Sequence, residues 1–135
     1  MTLRKPEQRV WDAMRGKVPR GHFLERIENL VGVGIPDVLS IYSGAVSFVE
    51  LKAAARPKRE TSKLLGVHGL RPEQVNWHLR WHQFGGRSFV LTRDDAMGLY
   101  MLEGRLADSI NDMSVATQRE LSIASDWIQV FERLK

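Results

Sequence analysis

Gly34-Ile35-Pro36-Asp37-Val38-Leu39-Ser40-Ile41-Tyr42-Ser43-Gly44-Ala45-Val46-Ser47-Phe48-Val49-Glu50-Leu51-Lys52 is the stretch on which the fold turns. Two apolar runs rich in β-branched residues flank Ser43-Gly44, a dipeptide suited to a tight hairpin turn. With Tyr42 paired to Ala45, the register sets Asp37 opposite Glu50. Side chains alternate along a strand, so Lys52 shares the face of Glu50 while Leu51 takes the other. Two carboxylates facing each other across a sheet repel unless something positive lies between them. Val49-Glu50-Leu51 also reads as an interior strand, where an unpaired carboxylate is expensive. A divalent cation with oxygen ligands resolves both conflicts, and a lysine beside it suits phosphodiester chemistry.

Three short motifs follow one another closely: Gly34-Ile35-Pro36-Asp37, then Val49-Glu50-Leu51-Lys52, then Leu70-Arg71-Pro72-Glu73-Gln74. Pro36-Asp37 followed by Glu50-Leu51-Lys52 resembles the PD-(D/E)xK nuclease superfamily. All three in order resemble its VRR-NUC branch, where G-x-P-D, a strand ending in E-x-K and a helix opening L-S-P-x-Q occur in the same sequence. The resemblance covers roughly residues 5–102, and Arg71 departs from it, standing where the family has a small helix-capping residue. It implies one restriction-endonuclease-like α/β domain over residues 1–135, with a mixed central sheet flanked by helices. Its core would span about 5–104, with a helical extension over 105–135.

In the reading of the residues themselves, Asp37 and Glu50 are the metal ligands, with the backbone carbonyl of Leu51 and water completing the shell that Mg²⁺ prefers. Lys52 would hold or polarise an attacking water, or neutralise charge building on a phosphate. The resemblance implies a glutamate on the first helix as third acid. Glu7 suits that place because it shares the stripe of Val10, Trp11 and Met14; Glu28 competes for the role from the first strand. The resemblance also implies that Gln74, at the start of its helix, reaches back to the E-x-K strand, where an amide can serve both a metal-bound water and the lysine. Arg56, Lys58, Arg59 and Lys63 are placed to contact a phosphate backbone beside the active strand.

The activity implied is a Mg²⁺-dependent DNA endonuclease, with Mn²⁺ able to substitute, acting as a homodimer on branched DNA of the Holliday-junction type. Two other classes stay open. One is a non-catalytic DNA-binding module that keeps the fold and the basic loop; the other is an accessory subunit docking through its carboxy-terminal helix.

Around this centre, the pattern predicts a helix over 6–15 opened by Pro6, a first strand over 22–31, and a long basic loop over 55–69. A helix runs from Pro72 to about Phe84, closed by Gly85-Gly86, before strands over 87–93 and 98–103. Residues from Arg105 onward read as mostly helical, with a stripe of Leu121, Ala124, Ile128 and Phe131 and a capping box at Thr117 and Glu120. Trp77 and Trp81 repeat at helical spacing and read as packing residues. His78 and His82 have metal-ligand spacing but lack a third ligand, so zinc is not expected.

Composition sets the outer bounds. The 135 residues suffice for one substantial core. No cysteine is present, which excludes disulfides and thiolate metal sites and fits a reducing cytoplasm, bacterial or of a phage-infected cell. Met1-Thr2-Leu3-Arg4-Lys5-Pro6 has no apolar signal-peptide core, and no run reaches transmembrane length, so no membrane partner is expected. A net charge of +4 and a pI near 9.8 favour an anionic partner.

Overall fold

The hairpin forms in the expected register. The computed structural model describes residues 6–27 and 34–135. In it, strand β2 (Val38–Tyr42) turns through Ser43-Gly44 into β3 (Ala45–Ala54), pairing Tyr42 with Ala45 and Val38 with Val49. Ser43 and Gly44 both take positive φ, 46° and 86°, as a type I′ hairpin turn requires. Asp37 lies one residue ahead of β2 and continues the register opposite Glu50.

Around that pair the chain builds a five-stranded mixed sheet in the order β1-β2-β3-β4-β5. β1 (His22–Arg26), β4 (Arg87–Asp94) and β5 (Leu99–Glu103) complete it; β3 and β4 run parallel and every other pair is antiparallel. A parallel pair needs a crossover, and helix α2 (Pro72–Gln83) supplies it. The expected first strand ends at Arg26, with one further ladder bond from Ile27 N to Asp37 O (2.7 Å). The remainder of that expectation, Glu28 included, lies outside the described residues.

Alternation sorts the side chains into two apolar layers. Val49 and Leu51 point to one side with Val38, Leu91 and Met101, and pack against Val10, Trp11 and Met14 of α1 (Pro6–Gly16). Val130 and Phe131 of α5 (Trp127–Arg133), followed by Leu134, close the same layer. On the opposite side Ala54, Val90, Tyr100 and Leu102 pack against Ala107 and Ile110 of α3 (Ala107–Ile110) and Val115 of α4 (Val115–Leu121). The expected α/β architecture, a mixed sheet flanked by helices, is therefore what forms.

Two expectations need correction. The carboxy-terminal stripe does not exist as one face: Leu121 is 42% and Ile128 78% exposed, while Ala124 and Phe131 are buried. The helix stops at Leu121 because the next residues bond to β5: Ser122 Oγ accepts from Met101 N (2.9 Å) and Ile123 N donates to Met101 O (2.9 Å). Asp126 then caps α5, whose apolar side is used on the chain's own sheet. The cap of α4 is Ser114, whose hydroxyl accepts from Thr117 N (3.1 Å); Thr117 and Glu120 are interior positions. The segment over 55–69 is also less free than its composition suggests. Leu64 and Leu65 sink into the second layer, Leu64 N bonds to Met113 O, and Ser62 O and Glu60 O accept from Val115 N and Ala116 N.

Candidate active site

Glu50 leaves β3 on the α2 side and is only 2% exposed; Lys52 follows it on the same face, also buried. Between them and the rest of the chain stands Gln74, at the third position of α2. Its Nε2 donates to Glu50 Oε1 (2.7 Å), while its Oε1 accepts from Lys52 Nζ (3.3 Å) and from Arg71 N (2.9 Å). One amide therefore ties the carboxylate, the ammonium group and the helix start together, holding Lys52 Nζ 3.8 Å from Glu50 Oε1. A guanidinium has no acceptor, so Arg71 cannot cap α2 with its side chain; the bond from its N–H to Gln74 satisfies that end of the helix instead.

Asp37 enters from the other strand. Its Oδ2 accepts from Leu51 N (2.9 Å), and its charge bears on Glu50 across the hairpin. Leu51 turns its side chain into the α1 layer, as alternation requires, while its N–H points to Asp37. Burial and the negative charge of Asp37 push the Glu50 carboxyl up to about 9, against the opposing pull of Lys52. Burial also raises Asp37, while the Leu51 N–H, Arg26 and Lys52 draw it back down. Both carboxyls therefore hold their protons more tightly than free ones do, as expected when two acids are buried side by side.

Glu50 Oε2 is buried and accepts no hydrogen bond. An orphaned carboxylate oxygen with a second carboxylate beside it offers hard oxygen donors, which fit a hard divalent cation. Among the described residues no three histidine or acidic side chains converge on a single point, so the acids here are a pair.

Glu7 does not join that pair. It is half-buried on the wall of a cleft of about 570 Å³ at the carboxyl ends of β3 and β4, together with Ala53, Ala55, Arg93 and Asp95. Its neighbour Gln8 instead accepts a bond from Arg26 Nη1 (2.8 Å). Of the basic segment, Arg56 pairs with Glu60 (3.4 Å) and Lys63 with Asp112 (3.1 Å). Glu60 is shared with Arg119. Lys58 and Arg59 are exposed. Among the described residues, none of these four bonds to Asp37, Glu50, Lys52 or Gln74.

Further residues shape the site through contacts that local pattern does not show. Gly34 takes φ +85°, and a Cβ there would lie 2.1 Å from Glu73 O. The chain entering Asp37 thus crosses directly over the first turn of α2, and a side chain at 34 would force Gln74 away from Glu50. Asp94 is a buried acid whose oxygens accept from Ala96 N (2.9 Å), Gly98 N (2.8 Å) and Tyr100 Oη (2.9 Å); it shapes the β4–β5 turn. His78 and His82 both turn to Ser88 Oγ, at 2.7 and 3.0 Å. Gly34 and the His78/His82 spacing were visible in the chain, but their reasons, close approach of α2 and bonding to Ser88, are tertiary.

No protein-family model matches this sequence, and no curated protein matches it. Among solved structures, the chain is similar to Hjc, a Holliday junction resolvase of the archaeal hyperthermophile Archaeoglobus fulgidus. The TM-score is 0.49 at 12% identity, with 84% of this chain and 95% of that one covered.

Proposed function

We propose that the chain is a divalent-metal-dependent DNA endonuclease, a member of the PD-(D/E)xK superfamily of the VRR-NUC type. The observation that carries this is the buried Asp37–Glu50 pair with an unpartnered oxygen, fastened through Gln74 to Lys52. Two acids buried side by side cost stability unless a proton or a cation is bound there, and Lys52, tied to Gln74 and Glu50, keeps a positive charge beside that place.

In this reading Asp37, Glu50 and the Leu51 carbonyl hold Mg²⁺, with Mn²⁺ able to substitute; bound there, it activates water and stabilises the leaving oxygen. Lys52 positions the attacking water or neutralises charge developing on the phosphate. Gln74 keeps Lys52 and Glu50 in one geometry and aligns the site with α2. Lys58 and Arg59, aided by Arg56 and Lys63 when their surface ion pairs exchange for phosphate, position the DNA backbone. Exposed pairs of this kind contribute about 0–1 kcal/mol, so phosphate competes with them readily. The narrower form of the proposal is branched DNA of the Holliday-junction type cut by a homodimer, whose two-fold axis would present two sites for paired nicks.

The test is cleavage of labelled four-way junction, flap, duplex and single-stranded DNA with Mg²⁺, with EDTA, and by Asp37→Ala and Lys52→Ala variants. Cleavage that needs metal and disappears in both variants is the expected result. Equal cutting of all four substrates removes the branched-DNA form; cleavage surviving in EDTA or in both variants overturns the assignment of the site.

A further inference from the structure

Beside the carboxylate pair, on the same side of the sheet, lies an aromatic cluster that belongs to neither apolar layer. Trp77 and Trp81 stack with ring centroids 5.1 Å apart and planes 20° apart, and Phe48 meets both edge-on at 5.1 and 5.2 Å. Trp77 and Trp81 pack as their helical spacing suggested, but on each other and on Phe48, and all three rings stay half-buried. Residue 84, also aromatic, follows α2 and is 83% exposed.

The cluster is held in place. Trp81 spends its single polar atom inward, Nε1 donating to Arg87 O (2.8 Å). Its ring rests on Gly86, where a Cβ would come within 2.2 Å of the indole. The position is also specific. Phe48 stands two residues before Glu50 on the same face, about 7 Å away at strand rise. Trp77 and Trp81 follow Gln74 by three and seven residues, roughly 5 and 10 Å along α2. Those spacings correspond to about one to three base steps of 3.4 Å from a phosphate at the carboxylates. Arg80, exposed between the two tryptophans in sequence, adds positive charge to the rim. Every nucleobase has a π-face, and fixed aromatic rings beside basic side chains are how single strands are bound without reading sequence.

We propose that Trp77, backed by Trp81 and Phe48, is a stacking ledge for an unpaired nucleobase next to the phosphate held at Asp37 and Glu50. The ledge selects, among branched and flapped DNA, forms with single-stranded character at the cleavage point. Paired bases in a duplex are already stacked and present no free face to it. The inference rests on the nuclease reading for the identity of that phosphate, but its test does not need cleavage.

The test is binding in EDTA of a fluorescein-labelled thymidine oligomer and of an intact duplex, followed by anisotropy and by tryptophan emission. Trp77→Ala should weaken single-strand binding about 5- to 150-fold, the range of one base stacked on an aromatic ring, and Trp81→Ala, which removes its backing, should weaken it too. Duplex binding, governed by phosphate contacts, should change less than about twofold. Trp77→Phe should restore most of the loss, and Gly86→Ala should reproduce it by displacing the indole without removing it. Equal losses on both DNAs, or wild-type tryptophan emission unmoved by the thymidine oligomer, overturn the ledge. So does light scattering that shows the alanine variants converting a dimer to a monomer, which would make this surface a subunit interface. Should the alanine variants fail to fold by circular dichroism, the wild-type emission and Trp77→Phe still decide. Single-strand selectivity in a protein that never cleaves leaves the ledge standing and sinks the nuclease reading; metal-dependent cleavage with indifferent tryptophan variants does the reverse.

Discussion

Replacing Glu50 by glutamine should make the metal-free protein more stable in mild alkali, because the carboxyl is the group that cannot ionise cheaply. Its folded value is pushed up to about 9 from an ordinary 4.5, by burial first and by Asp37 second. Between those two pH values the folded chain holds a proton at Glu50 that the unfolded chain releases. The stabilisation this represents is complete below pH 4.5 and is lost as pH rises towards 9. Asp37, also raised, adds loss of the same sign. His78, lowered to about 4 by burial and by His82, and His22, lowered by burial and by Lys135, act oppositely; above pH 7 they are neutral in both states. The clean window is therefore pH 7 to 9. One proton corresponds to about 1.4 kcal/mol per pH unit, so stability should fall by roughly 2–3 kcal/mol across that window. That is a large part of the 5–15 kcal/mol typical of a domain. Urea unfolding in EDTA at stepped pH measures it directly. Glu50→Gln should flatten the curve, and Mg²⁺ added to the wild type should stabilise more at pH 9 than at pH 7, since bound cation displaces the proton. A flat wild-type curve, or a slope that persists in Glu50→Gln, would refute the account of Glu50 as an acid kept protonated by burial.

Three further outcomes follow from the geometry. Gln74→Leu removes the amide joining Glu50, Lys52 and Arg71, and should lower metal-dependent cleavage about 10- to 100-fold while urea unfolding stays cooperative. Gly34→Ala sets a Cβ 2.1 Å from Glu73 O at positive φ, and should cost about 1–3 kcal/mol, with amide exchange accelerated in the first turn of α2. Ser114→Ala removes the cap of α4 and should cost about 1 kcal/mol in urea unfolding, whereas Glu120→Ala, at an exposed interior position, should change stability by less than about 0.5 kcal/mol.

What the sequence determined by itself is the hairpin and everything that follows from alternation. The two runs around Ser43-Gly44, with a turn that accepts positive φ at both positions, leave one register that buries Val38, Val49 and Leu51 together. A slip of one residue would turn all of them to the opposite face, so the placement of Asp37 opposite Glu50, with Lys52 beside it, was legible from local pattern alone. The helix after Pro72 and its glycine stop were legible for the same reason, since Pro and Gly act on their own backbone. The approach of Gln74 to Glu50 and Lys52 came from family resemblance rather than from any local signal.

Tertiary structure decided what local pattern leaves degenerate. A serine, a threonine and an aspartate in sequence are all capping residues, and only packing made Ser114 and Asp126 the caps that divide the carboxy-terminal segment into α3, α4 and α5. A basic stretch reads the same whether its charges are free or paired; Asp112, Arg119 and the burial of Leu64 and Leu65 determined which side chains stay available. Two tryptophans at helical spacing fit a core or a surface equally well, and the half-covered face over Phe48 decided between them. In each case the deciding partner lies far away in sequence, and the interaction depends on a distance that composition and periodicity do not encode.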